Sequence, residues 1–208
     1  MFSLTEPLED SIIIRGQKVA VDFSFDTVLL WYQLLEDDSI LSNDKIEIAF
    51  DNFVEESFSP PLSLEEKVDV IDIISQQIKE TPYGKTINAV ASIQEDCTSV
   101  SEKYFSYTQD AEAIYASFLF DYGIDLDLER GKLHYDKFKA LLAGLSEKSY
   151  FKRILSIRQA SHAEYEGEAL TNLLEAQEYY ALESEKSVDN LDNQMGDIFS
   201  MLKAQAEG

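Results

Sequence analysis

Asp125, Asp127 and Glu129, followed by Gly131 and Asp136, stand at the alternating spacing with which a calcium loop brings oxygens around one ion. Such a loop turns sharply at a glycine in its sixth position and closes with a bidentate glutamate at its twelfth. Arg130 and Asp136 occupy those places, so no Ca²⁺ site is expected. Gly84-Lys85-Thr86 ends like a phosphate-binding loop, but Lys79 stands where that loop needs its first glycine and no buried strand precedes it. A turn after a helix is expected instead. His134, His162 and the single Cys97 fall into none of the spacings that build a zinc site. His134-Tyr135 would make a base beside a phenol; the competing expectation is structural, with the histidine capping or packing at the start of a helix. Carboxylates are so frequent that closeness in sequence nominates no acid and base pair. No catalytic residue, cofactor-binding residue or metal ligand is therefore named, and the chain is expected not to be an enzyme.

The elements that would hold these residues are mostly helical. Ile12 to Asp22 places two β-branched runs around Gly16-Gln17, which suits a type II′ hairpin with Ile14 opposite Val19 and Ile12 opposite Val21. A helix capped by Asp22 or Ser24 runs to Glu36. Phe25, Val28, Leu29, Tyr32 and Leu35 keep helical spacing there, while Leu30, Trp31 and Leu34 are apolar on the other side. Such a helix needs burial on more than one face, by the hairpin and by something further, such as another subunit. Trp31 is expected in the core, with an interface anchor as the alternative.

Further helices are expected from Ser42 or Asn43 with Ile46, Ala49, Phe50 and Phe53, and from the Ser63/Glu66 capping box with Leu64, Val68, Ile71, Ile74 and Ile78. Residues 84–103 read as a linker or a loosely held helix. Ala111, Ile114, Tyr115, Phe118, Leu119 and Tyr122 form a stripe closed by Gly123, and helices follow over 133–142 and 149–160. From Ala163 onward the chain is helical, acidic and thinly apolar, and either needs a partner or stays mobile. The expected organisation is an N-terminal hairpin plus helices (1–83), the linker (84–103), a helical subdomain (104–160) and an acidic helical extension (161–208). The fold class is mainly α, a multi-helix domain with a small N-terminal β-hairpin and a C-terminal acidic helical tail.

Charge narrows the partners. With 17 basic and 40 acidic side chains the 208-residue chain carries a formal −23, which opposes phosphate binding, so no nucleic acid is expected. No apolar run approaches the roughly 20 residues that span a bilayer, and no membrane partner is expected. The opening MFSLTEPLED lacks a secretory pattern and Cys97 has no disulfide mate, which predicts a cytosolic protein. Against this background residues 130–158 hold eight basic and two acidic residues. Either this stretch pairs with acidic helices of the same molecule, or it meets the acidic surface of a neighbouring copy in a head-to-tail contact.

Asp110 to Phe118, Tyr122 to Leu126, Leu133 to Leu145 and Phe151 to Arg158 together resemble the tail assembly chaperones of long-tailed, siphovirus-type phages and prophages of Gram-positive bacteria. The likeness extends over residues 8–160, with Asp136 standing where the family pattern carries a second bulky aromatic. It implies a non-enzymatic protein that coats the tape measure protein, keeps it soluble and recruits tail tube protein subunits. It also implies a homo-oligomer acting in the host cytoplasm and absent from the mature virion. A structural virion component, such as a head–tail connector subunit, and an acidic DNA mimic that inhibits a host protein are the alternatives. Candidate interaction residues are Trp31, Tyr135, Phe138, Lys148, Lys152, Arg153 and Arg158.

Overall fold

A computed structural model of the chain describes residues 4–80, 104–183 and 186–206. The Gly84-Lys85-Thr86 turn, Cys97 and the proposed linker lie outside the described residues. The fold is mainly α. It opens with an antiparallel hairpin of β1 (Ser11–Ile14) and β2 (Gln17–Ala20). Helices α1 (Phe25–Glu36), α2 (Ser42–Phe53) and α3 (Leu64–Lys79) follow, then α4 (Ala111–Tyr122), α5 (Tyr135–Ala143), α6 (Tyr150–Gln159), α7 (Gly167–Tyr179) and α8 (Val188–Ala206).

The hairpin corrects the expected register by two residues: Ile12 pairs with Val19 and Ile14 with Gln17. The turn residues are Arg15 (φ 48°) and Gly16 (φ 79°), both left-handed, which is the type I′ arrangement rather than II′. A non-glycine residue is disfavoured there, and Arg15 is held by its fork on Glu66, Nε to Oε1 and Nη2 to Oε2 both at 2.8 Å, with Nη1 donating to the Pro60 carbonyl at 2.7 Å. A slip of two preserves side-chain parity, so Ile12, Ile14, Val19 and Val21 still share the buried face.

Three helices begin on a side chain that satisfies a free amide. Ser63 and Glu66 form a complete capping box on α3, Ser149 caps α6 through the Lys152 amide, and His134 caps α5 by accepting from the Asp136 amide. Helix α4 stops at Gly123, whose φ of 68° suits the left-handed C-terminal turn. The C-terminal end of α1 is closed from α2, where the buried Lys45 ammonium donates to the Leu35 carbonyl at 2.8 Å. Burial lowers the Lys45 pKa.

Helix α1 is the hub, touching α2, α5 and α8, while α3 packs on α2 and α8, and α4 packs on α5 and α6. Of the thinly apolar segment after Ala163, α8 finds its partner inside the chain. Val188, Leu191, Met195, Ile198, Phe199 and Leu202 of α8 join the same core cluster as the hairpin and α1. The two halves are also stitched by backbone, Phe25 N–H to the Leu133 carbonyl at 2.9 Å and Tyr135 N–H to the Phe23 carbonyl at 2.8 Å. No described helix is long and apolar enough to cross a membrane.

Helix α4 departs from its expected stripe. Ala113, Ile114, Ser117 and Phe118 are buried, whereas Ala111, Tyr115, Leu119 and Tyr122 face outward. The helix rotates because small residues let α6 approach. Ser117 is fully buried, its hydroxyl donating to the Ala113 carbonyl at 2.6 Å and accepting from the Phe151 amide at 2.9 Å.

Candidate functional site

The basic stretch does not act as one patch. Arg158 is turned inward, its side chain 7% exposed, and clasps Asp110 with two 2.8 Å bonds, Nη1 to Oδ2 and Nη2 to Oδ1. Its Nε donates to the Tyr180 carbonyl at 2.7 Å and its Nη1 to the Tyr104 carbonyl at 2.8 Å. This guanidinium ties three chain segments and satisfies a buried carboxylate. Lys139 likewise donates to the Ile78 and Glu80 carbonyls, at 2.7 and 3.1 Å, closing the C-terminal end of α3. Arg130 pairs with Asp127, and Lys132 donates to the Leu128 carbonyl. The expectation that Arg158 makes an intermolecular contact is thereby corrected.

Lys137 on α5 and Lys148, Lys152 and Arg153 remain, and the last three are close together in the chain. Ser149 and the first turn of α6 present them: Lys148 and Arg153 are exposed and Lys152 half-buried. Among the described residues their side chains have no ion pair. Along α7 and its approach, Glu164, Glu166, Glu168, Glu175 and Glu178 are exposed carboxylates with no ion pair among the described residues. The chain therefore displays a cationic surface and an anionic one that its own folding leaves unmatched.

Trp31, Tyr135 and Phe138 are core residues, which corrects the candidacy of Trp31 and Tyr135 as surface contacts, while Phe138 also borders the cleft described below. Trp31 is 1% exposed, and its Nε1 has no hydrogen-bond partner among the described residues. Phe138 stacks between Phe25 (ring centroids 5.1 Å apart) and Phe118 (5.2 Å). The Tyr135 and Tyr107 hydroxyls meet at 2.8 Å, and burial pushes the Tyr135 pKa well up. Beside them the Nδ1 of His134 accepts from the Asp136 amide at 3.0 Å, so the neutral ring carries its proton on Nε2; burial holds the His134 pKa below its usual value. Histidine and tyrosine thus serve α5 and the core. Asp136 supplies that capped amide and pairs with Lys139 at 3.3 Å, a use for an acidic residue at that helix start.

What the sequence did not locate is an open cleft of about 880 Å³ between α1 and α4. Leu29, Leu30, Ile114 and Leu126 line it together with the edges of Tyr107 and Phe138, and Asp26, Asp127 and Arg130 stand around it. Its walls are pinned at both ends. The Gly131 amide donates to Asp26 Oδ1 at 2.9 Å, and the Thr108 hydroxyl lies 2.8 Å from each carboxylate oxygen of Glu36. Desolvation raises the Glu36 pKa, and the Thr108 bond opposes it. One turn beyond Tyr115 of the cleft, Leu119 lies on the same face of α4, and Phe120 beside it is 73% exposed. Large apolar side chains at a surface mark a contact for another molecule. The sequence signal is present, since α4 is apolar on more sides than one core can use, but the expected stripe counts Tyr115, Leu119 and Tyr122 as buried together with Ile114 and Phe118, which are.

Among the described residues no group of three or more histidine, cysteine, aspartate or glutamate side chains converges to hold a metal ion. Asp125 accepts from the Tyr115 hydroxyl and the Asp127 amide, and Asp127 pairs with Arg130. The sequence matches the bacteriophage Gp15 protein family over residues 4–182, from the hairpin through α7. The chain belongs to that family. No curated protein and no solved structure matches it. The Gp15-family match takes in the cleft, the aromatic core, the Arg158–Asp110 clasp and both unmatched charged surfaces, and ends before α8.

Proposed function

We propose that this Gp15-family protein is a non-catalytic tail assembly chaperone that coats the tape measure protein, keeps it soluble and recruits tail tube subunits while the tail is built. The observation that carries this is the open apolar cleft between α1 and α4, set in a chain of formal charge −23. An apolar groove takes one face of a helix with few demands on its sequence. A strong negative charge keeps a coated filament dispersed.

Many copies along one client require contacts between copies. In this proposal Lys148, Lys152 and Arg153 of one copy face the exposed carboxylates of α7 on the next, a heterologous contact that propagates. The chaperone would act in the host cytoplasm and leave before the virion matures, whereas a connector-type virion component would remain in purified particles. Co-expression with the tape measure protein of the same phage tests the function. The expected result is a soluble client only when this chain is present; a client equally insoluble with and without it would overturn the proposal.

A further inference from the structure

Helix α8 lies beyond the residues matched by the family, yet it supplies a whole side of the core. Val188, Leu191, Met195, Ile198 and Leu202 recur at steps of three and four residues, the spacing of a helix that lies in a seam between other helices. The seam is formed by α1 and α3, and α8 runs antiparallel to α3. Near its start Asp192 accepts from the Tyr32 hydroxyl of α1 at 2.9 Å, and its backbone carbonyl accepts from Lys79 at the end of α3. At its other end Lys203 pairs with Asp69 and Asp72 of α3, at 3.4 and 2.6 Å.

The helix is weakly built for something so buried. Its N-terminal half, DNLDNQMGD, is rich in aspartate and asparagine, which are poor helix formers in a helix interior. Gly196 stands at its middle although a Cβ there would meet no atom within 4 Å. A mid-helix glycine lowers helix stability, and here no close approach requires it. Packing in the seam, not propensity, holds α8 in place.

We infer that the α1/α3 seam is a helix-docking groove, that α8 is its displaceable intramolecular occupant, and that the competing occupant is a helix of another protein with apolar residues at alternating steps of three and four. The occupant's chemistry is read from α8 itself, which shows what the groove accepts. A tethered helix competes at a high effective concentration, so a single short helix displaces it poorly and a longer one with a better repeat displaces it well. Gly196 and the weak N-terminal half of α8 set that threshold. This site is separate from the α1/α4 cleft, and its existence does not depend on the chaperone proposal.

The test uses the full chain and a fluorescent peptide with the sequence of residues 186–206 as probe, followed by anisotropy. Gly196→Ala should strengthen the strap and weaken probe binding about fivefold relative to the natural sequence, following the glycine-to-alanine difference in helix propensity. Met195→Asp should loosen the strap without touching the groove, and bind the probe at least about tenfold more tightly, one peptide per chain. Equal affinity in all three chains, or no probe bound by a Met195→Asp chain of unchanged helicity, would overturn the inference. So would exchange of α8 between copies to give dimers that take up no peptide. Hydrogen exchange on the unmodified chain gives a second measurement that no folding failure can spoil. Amides of α8 should open several-fold more often than those of α1 and α3, and opening of all three only together would overturn the inference.

Discussion

Helix α1 has two apolar faces, and the chain treats them differently. One side meets α8 in a closed seam, with Tyr32 and Leu35 buried, and the other borders the cleft, where Leu30 is 45% exposed and Leu29 only partly covered. Both faces look alike in sequence. What separates them is what the rest of the chain delivers: a nineteen-residue amphipathic helix to one, and to the other a wall tied down at Asp26 and Glu36 that stops short of filling the gap. An apolar helix surface thus reports that burial is needed, and tertiary placement decides whether the chain or a partner provides it.

Arg158→Ala strands Asp110 as a buried unpaired charge and should cost about 3–5 kcal/mol, read from the urea midpoint. It tests whether the clasp beneath the cleft's far wall is structural. In the closed seam Leu191→Ala should cost about 2–5 kcal/mol, whereas Leu30→Ala in the open cleft should cost less than about 1 kcal/mol, since much of that side chain is already in water. Similar losses at the two positions would erase the distinction between the faces.

Acid titration separates a seam carboxylate from a surface one. Burial raises the pKa of Asp192, with Lys79 and Tyr32 opposing, so its contribution to stability is complete below the unfolded pKa of about 3.9 and is lost as pH rises through the raised folded value. Asp192→Asn should therefore gain stability relative to the natural sequence as pH climbs from about 4 to 7, using the same reference value. Glu66, gripped by Arg15 and by the Ser63 amide, has its pKa held down to about 2. Its contribution is present above the unfolded value of about 4.3 and fades as pH falls through 2. Glu66→Gln should accordingly flatten the acid limb of the stability curve, and thermal melts across this range check both signs.

The smallest effect on stability belongs to Lys152→Glu with Arg153→Glu, within about 0.5 kcal/mol and with helicity unchanged. The same pair should abolish any salt-sensitive assembly seen by sedimentation. A single unchanging monomer for both proteins at every salt and concentration would remove the charged surface from the account of assembly.

Much of the fold could be read from local pattern. The Ser63/Glu66 capping box, the Gly123 stop and the His134 cap each follow from what a helix end needs, and each is present. The hairpin turn lies one residue earlier than a glycine-led II′ turn would, because Arg15 accepts a left-handed φ with its guanidinium held by Glu66 and Pro60, 51 and 45 residues away. The buried side of α4 was misread because hydrophobic periodicity counts Tyr115, Leu119 and Tyr122 but overlooks Ala113 and Ser117, whose smallness admits α6. Arg158 was grouped with Lys148, Lys152 and Arg153 by nearness in sequence, although its partner Asp110 lies 48 residues earlier. The cleft was illegible for the same reason, since Leu30, Ile114 and Leu126 share no local pattern and meet only when α1 and α4 are set side by side.

Whether the open face of α1 grips the client is decided by a photo-crosslinking residue placed singly at Leu30, Ile13 or Lys148 during co-expression with the tape measure protein. Leu30 lines the cleft, whereas Ile13 is an exposed apolar position on the hairpin and Lys148 belongs to the cationic surface. The account predicts a client adduct from position 30, none from position 13, and an adduct with a second copy of the chain from position 148. Client adducts of equal yield from positions 30 and 13, or none from position 30 while the client stays soluble, would contradict it.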